Sequence, residues 1–332
     1  MSKQWNGEQV LTMARGFQAA CVLGAAAELD VFRCLAERPR TAGELAGTLR
    51  CDARAMAVLL DALAALELLD KSGGRYSAPP GVASLLGGEG AGSVLSAVLH
   101  LTNCLRRWSQ LARVVQAGAP LARTPSIRGE DGDLASFIGA MHDMNASIAA
   151  EVIGSMKPLQ FRRLLDIGGA SGTWTIEFLK AVPGSTAVLF DLPEVMPLAR
   201  KRLAEAGMAG RVELAAGNFM VDPLPAGADL AWLSAIAHQN SREENRALFA
   251  SIFRALAPGG RIAVRDMVME PDRTSPPTGA LFAVNMLVGT DGGGTFTFEE
   301  YRQDLESAGF TGASLARRDE GMSSIIFALK RS

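Results

Sequence analysis

Leu164-Leu165-Asp166-Ile167-Gly168-Gly169-Ala170-Ser171-Gly172-Thr173-Trp174 decides how the rest of the 332-residue chain is read. An apolar run closes on an acid, a glycine-rich turn follows, and a helical pattern opens at Thr173. That is the pattern of a buried parallel strand feeding a loop that cradles a nucleotide-like ligand at a helix N-terminus. Gly168, Gly169 and Gly172 allow a tight turn and a close backbone approach. Such a loop does not by itself choose among the cofactors that use it.

Downstream the texture alternates. β-rich runs at Leu164–Ile167, Ala187–Phe190, Val212–Leu214, Leu230–Leu233, Ile262–Asp266 and Ser324–Leu329 are separated by helical patterns over Thr173–Ala181, Pro193–Ala206, Ser241–Ala257 and Thr297–Ala308. Alternation of this kind predicts an α/β fold, a Rossmann-like parallel sheet covered on both faces. Pro193 is expected in a first helical turn, and Ser241-Arg242-Glu243-Glu244 is a capping box. The second strand ends at Asp191, 19 residues after Gly172, where an acid accepts the hydroxyls of an adenosine ribose or caps the next helix. After the third strand, Asn218 offers an amide for an adenine edge and Phe219 an aromatic face. The run Trp232–Ala237 leads into His238, and Ala257-Pro258-Gly259-Gly260 turns into a strand that ends at Asp266. No second mononucleotide-binding half follows, which argues against a dinucleotide. The late Gly289-Thr290-Asp291-Gly292-Gly293-Gly294 follows no strand and reads as a flexible loop near an acceptor pocket.

Upstream the chain is helical. Residues 8–36 read as two helices broken near Leu29-Asp30, with small residues Gly16, Ala19, Ala20 and Gly24 on one face for close packing. Thr41 and Glu44 form a capping box, a second helix covers Ala53–Leu68, and Leu69–Ser77 is a hairpin turning at Ser72-Gly73-Gly74. Helix, turn, helix, hairpin is the winged-helix order. The helix in the recognition position carries Arg54 against Asp52, Asp61 and Glu67, too few cations for phosphate contacts, so packing or dimerisation is expected rather than DNA binding. Gly87–Gly92 reads as a flexible loop, followed by helices over Ser93–Ala117 and Leu134–Met156. Phe137, Met141, Met144 and Ile148 recur at helical spacing; the stripe reads as core, with Met141 and Met144 alternatively lining a pocket. The expected domains are 1–92, a winged-helix-like unit; 93–160, a helical connector; and 161–332, the α/β unit.

A formal net charge of -2 gives no electrostatic case for nucleic acid or an anionic membrane. No secretory signal or transmembrane run is read. Cys21, Cys34, Cys51 and Cys104 suit reduced, mostly buried thiols in a cytosolic protein. No metal-ligand spacing is seen, so no metal is expected.

Together the glycine loop, the Asp191-Leu192-Pro193 corner and the Ala257–Gly260 turn make the chain resemble class I, S-adenosylmethionine-dependent small-molecule O-methyltransferases, the group that includes caffeic acid, hydroxyindole and bacterial polyketide O-methyltransferases. The resemblance covers nearly the whole chain. It implies an N-terminal dimerisation domain and a homodimer, with S-adenosylmethionine as cofactor. It places Asp166, Gly168, Gly169, Gly172, Asp191, Leu192, Asn218, Phe219 and Ser234 at the cofactor. His238 falls on the general base and Asp266 on the acid that orients it. Met141, His142, Asn145, Asn285 and Met286 are acceptor-side candidates. Ala170 replaces a frequent middle glycine of the loop, and Asn218 stands for a usual Asp. His238-Gln239-Asn240 replaces His-Asp-Trp, Ser234 replaces a lysine found in some members, and a second acid flanking the base falls on Thr295.

The implied reaction is methyl transfer to a hydroxyl of a small aromatic or polyketide-like acceptor in the cytoplasm. The acceptor-side departures leave open C- or N-methylation and a hydroxylation or decarboxylation on the same scaffold. A DNA-binding regulator and an NAD-dependent dehydrogenase are the readings from other classes.

Overall fold

The computed structural model describes residues 4–88, 90 and 92–331; Met1–Lys3, and Glu89 and Ala91 of the expected loop 87–92, lie outside them. The chain divides into two compact units, residues 1–106 with 124–144, and residues 107–123 with 145–332.

In the first unit, helices Gly7–Arg15, Phe17–Glu28 and Val31–Glu37 interrupt at Gly16 as well as at the expected Leu29-Asp30. Of the small-residue face, only Gly24 meets a neighbour closely: a Cβ there would lie 2.5 Å from Thr102 Oγ1. Ala19 and Ala20 are exposed. Thr41 accepts from Glu44 N while the Glu44 carboxylate accepts from Thr41 N, so the capping box starts helix Ala42–Leu49. Helix Ala53–Ala65 and the hairpin Asp70–Ser72/Arg75–Ser77 follow, with Arg40–Thr41 adding a third strand. Leu45, Met56, Leu60, Leu63 and Tyr76 fill the core of this winged helix.

The expected helix Ser93–Ala117 is two, Leu95–Trp108 and Leu111–Ala117. That over Leu134–Met156 is also two, Gly129–Asp143 and Ala149–Gly154. The methionine stripe is not the packed face: Phe137 and Met144 are exposed, whereas Asp133, Ser136, Ile138 and Ala140 are buried. Small residues win because helix Gly129–Asp143 lies close on Leu95–Trp108, and a Cβ at Gly139 would come 2.5 Å from Ser96 Oγ. Cys34 and Cys104 are buried, Cys51 is half-buried and Cys21 is exposed.

The second unit holds a seven-stranded sheet ordered Thr311–Arg317, Ser324–Leu329, Leu256–Asp266, Ala228–Ser234, Arg163–Ile167, Thr186–Asp191, Val212–Ala216. The last five strands are parallel. Ser324–Leu329 runs antiparallel to both its neighbours, so the sheet is mixed rather than the expected parallel one. Edge strand Thr311–Arg317 alternates half-buried and exposed positions, but its half-buried face is Thr311, Ala313, Leu315 and Arg317, so the alternation carries little hydrophobic signal in the sequence. Side chains alternate faces with a period of two. Leu165, Ile167, Leu233, Val264 and Ile326 pack under Leu248, Phe249, Tyr301 and Leu305. Leu164, Leu230, Trp232, Ala263 and Ile325 pack under Val152, Ile153, Trp174 and Phe178. The helix expected from Pro193 begins at Met196; Pro193 instead sits in the preceding turn, its carbonyl accepting from Met196 N. Helix Pro277–Gly289 was not expected, because it is apolar nearly all round and lacks amphipathic periodicity.

The chain runs outward from Arg163–Ile167 and then returns to Ala228–Ser234. The switch between these two strands opens a crevice at their C-terminal ends, where open α/β sheets bind ligands.

Candidate active site

Strand Arg163–Ile167 delivers the glycine loop to that crevice. Gly168 and Gly172 take φ of +67° and +82°, which favour glycine. A Cβ at Gly168 would lie 2.7 Å from Ile236 Cδ1 and 3.8 Å from Phe219, and one at Gly169 would lie 2.7 Å from Leu189 Cγ. The loop therefore meets Phe219 and Ile236, the latter unnoticed in the sequence. Ala170 also sits at positive φ, +46°, at the position where a middle glycine is frequent.

Asp191 clamps this loop. Its Oδ2 accepts from Ala170 N at 2.7 Å and its Oδ1 from Leu192 N at 2.7 Å. Burial pushes its carboxyl above the ordinary range, while these backbone hydrogen bonds pull it down. Asp166 is buried more deeply. Its Oδ2 accepts from Thr175 Oγ1 at 2.5 Å, and burial, with the Asp191 charge adding, pushes it up to about 7. The result is a glycine loop held by two carboxylates, with Phe219 and Ile236 against it. It suits an adenosine-bearing, positively charged cofactor.

The Asp166 shift has a testable sign. Below about pH 4 the carboxyl is protonated in folded and unfolded chains and costs nothing. As pH rises toward about 7, the unfolded chain ionises first and the fold loses stability, on the order of 4 kcal/mol once ionisation is complete. Asn keeps an acceptor for Thr175. Without ligand, Asp166→Asn therefore melts above the parent near pH ~8, and the gap closes toward pH ~4.5. A gap independent of pH in thermal melts would contradict the assignment.

Asn218 and Ser234 are engaged by the protein. Asn218 Oδ1 accepts from Met220 N and its own N donates to Asp222, which leaves Nδ2 and one lone pair of Oδ1 unused by these contacts. Ser234 Oγ accepts from Arg265 Nη1 at 3.1 Å. Arg265 is a buried cation over Trp174, its centre 4.4 Å from the ring, and burial pulls it down to about 10.

The next strand end carries His238. Its Nδ1 lies 2.7 Å from Asp266 Oδ1, and its backbone N donates to Asp266 Oδ2 at 3.2 Å. His238 is 5% exposed and Asp266 1%. With Nδ1–H given to the carboxylate, Nε2 is left as an acceptor. Phe282, on the unexpected helix, sets its ring edge-on to the imidazole at 4.8 Å. Asn245 Nδ2 donates to Ala237 O, and Asn240 Nδ2 to Asn245 Oδ1, which fixes the corner that carries the histidine. Gln239 turns back on Ala235 O, and Thr295 is buried with its carbonyl held by Arg273.

The late glycines are a pinned loop rather than the expected flexible one. Gly294 N donates to His238 O at 2.9 Å, and a Cβ at Gly293 would come 2.5 Å from that oxygen. Their lack of side chains is what allows this approach. Asn285 Oδ1 accepts from Trp108 Nε1 at 2.9 Å, and Met286 is buried on the same helix. Asn145 is half-buried. Met141 and His142 are half-buried on helix Gly129–Asp143 of the other unit. His100 stacks on Phe137 at 5.2 Å in that unit.

A sequence model of the O-methyltransferase domain matches residues 108–311, and one of the O-methyltransferase dimerisation domain matches residues 11–86. The chain belongs to the O-methyltransferase family. This methyltransferase is 32% identical over 309 residues to the 3-hydroxy-5-methyl-1-naphthoate 3-O-methyltransferase of Streptomyces sahachiroi, covering 90% of this chain and 87% of that one. It is also 32% identical over 313 residues to the N,N-dimethyltransferase OxyT of Streptomyces rimosus, covering 91% and 90%. Human N-acetylserotonin methyltransferase in complex with S-adenosylmethionine superposes with a TM-score of 0.82 at 27% identity, over 100% of both chains. The class I methyltransferase fold, with its N-terminal helical dimerisation domain, is thus shown, and S-adenosylmethionine is the cofactor of this O-methyltransferase. The run Gly7–Glu28 is long and apolar enough to cross a membrane by length and composition and is mostly exposed; most of it lies inside the dimerisation match.

Proposed function

We propose that this O-methyltransferase methylates a phenolic hydroxyl of a small aromatic or polyketide-like metabolite, with His238 as general base and Asp266 orienting it. The observation that carries this is the buried His238 Nδ1–Asp266 Oδ1 pair, 2.7 Å apart at the C-terminal rim of the sheet. Bound S-adenosylmethionine supplies an electrophilic methyl group on a sulfonium. A phenol has a pKa near ~10 and at neutral pH needs its proton removed to become a good nucleophile. His238 Nε2 takes that proton while Asp266 holds the tautomer and balances the imidazolium, worth about 10²–10⁴ in rate. Asp166, Gly168, Gly169, Gly172, Asp191, Leu192, Asn218, Phe219 and Ser234 form the cofactor side of the proposal. Asn145, Asn285 and Met286 form the acceptor side. Phe282 joins the acceptor side by its contact with the base.

Trp5, Val10, Leu11, Met13 and Phe17 are exposed at the N-terminal helices, an apolar row that a second copy of the chain would cover. The homodimer, like a cytoplasmic location, is part of this reading. The similarity to an N,N-dimethyltransferase favours nitrogen as the second choice of acceptor atom.

Methyl-labelled S-adenosylmethionine, offered with a panel of phenols, naphthols and aromatic amines, tests the reading. The expected product is a labelled aryl methyl ether. Label appearing only on nitrogen would overturn the hydroxyl assignment, and tight cofactor binding with no transfer to any acceptor would count against the phenolic reading altogether.

A further inference from the structure

Among the described residues, three buried side-chain polar atoms have no hydrogen-bond partner: Trp232 Nε1, Arg265 Nε and the Tyr301 hydroxyl. The last stands beside Asp266. A carboxylate has about four lone-pair positions. Asp266 Oδ1 receives His238 Nδ1 at 2.7 Å and Met267 N at 2.8 Å, and Oδ2 receives His238 N at 3.2 Å. About one position on the carboxylate is left, and the Tyr301 hydroxyl, which interacts with this carboxylate, has no other hydrogen-bond partner among the described residues. Tyr301 is 1% exposed, and leaving a buried hydroxyl unpaired is costly. Its ring packs edge-on to Phe296 at 5.8 Å. Helix Phe298–Ser307 is fixed by the Thr297–Glu300 capping box and by Arg242 and Arg246 on Asp304.

We propose that Tyr301 is a positioning residue for methyl transfer: its hydroxyl completes the hydrogen-bond set of Asp266 and thereby fixes the carboxylate that aligns His238. This rests on the general-base reading above. Burial first, and then the Asp266 charge, hold the Tyr301 hydroxyl well above its ordinary range, so it stays protonated as a donor. The other charges around it are Glu300, paired with Arg273, and Asp304, paired with Arg242 and Arg246.

Tyr301→Phe removes one oxygen and keeps the ring. Expected are a fall in kcat of about fivefold to thirtyfold, with acceptor KM and S-adenosylhomocysteine affinity unchanged. Without the Tyr301 donor, Asp266 presents more of its charge to the imidazole. The midpoint of the His238 ring titration, followed by NMR in a chain with three histidines, then moves up by about half a pH unit. In an Asp266→Asn background the Tyr301→Phe change adds no further loss. An unmoved His238 midpoint, or an equal loss in both backgrounds, would overturn the proposal. The NMR readout needs no turnover. If His238→Ala keeps full activity while Tyr301→Phe still moves the midpoint, the general-base reading fails and the positioning contact stands.

Discussion

His238→Ala is expected to lower kcat by about 10²–10⁴-fold and to leave S-adenosylhomocysteine binding within about threefold of the parent. The split follows from where the residue sits. His238 follows the strand Ala228–Ser234 on a corner held by Asn240 and Asn245, and it makes none of the hydrogen bonds by which Asp191 clamps the glycine loop. Its imidazole commits one nitrogen to Asp266 and keeps the other for the acceptor proton. Alanine removes the proton acceptor and leaves Asp266 with the backbone donors of residues 238 and 267 and the proposed Tyr301 hydroxyl. Isothermal titration alongside steady-state rates checks both halves. Unchanged turnover would remove the base, and loss of cofactor affinity would place His238 in the cofactor site instead.

Asp191→Ala is expected to act in the opposite way, weakening S-adenosylhomocysteine binding by roughly 10²-fold, or about 2–3 kcal/mol. The carboxylate holds two backbone N–H groups, Ala170 inside the loop and Leu192 beyond the strand. Ala170 keeps a left-handed conformation that costs a non-glycine residue free energy, and the Asp191 bond is what offsets it. Without the acid, the loop loses its fixed shape and the proposed ribose contact disappears with it. Calorimetric affinity within threefold of the parent would show that Asp191 serves the fold alone.

The sheet strands were legible where burial on both faces makes them continuously apolar, as at Leu164–Ile167 and Leu230–Leu233. Capping boxes at Thr41 and Ser241 placed helix starts well, because the signal is local and chemical. Tertiary packing supplied what the sequence did not. The edge strand Thr311–Arg317 lacks hydrophobic contrast between its faces, the apolar helix Pro277–Gly289 lacks amphipathic periodicity, and the helix Gly129–Asp143 packs through Asp133, Ser136, Ile138 and Ala140 rather than through the methionine stripe. In the site, the pairing of His238 with Asp266, 28 residues apart, came from the resemblance and was then met in the fold. Phe282, Asn245, Arg265 and Tyr301 carry no motif. They matter only through what the fold sets beside them, and an orphaned hydroxyl is visible only in three dimensions.

Single-turnover transfer of a labelled methyl group by His238→Ala and the parent, across acceptor phenols of graded acidity, tests proton removal most directly. For an ordinary phenol, with a pKa near ~10, the variant should lose about 10²-fold or more; for a phenol already ionised at the assay pH the loss should shrink below about tenfold. An equal loss across the whole series would contradict a general base at His238.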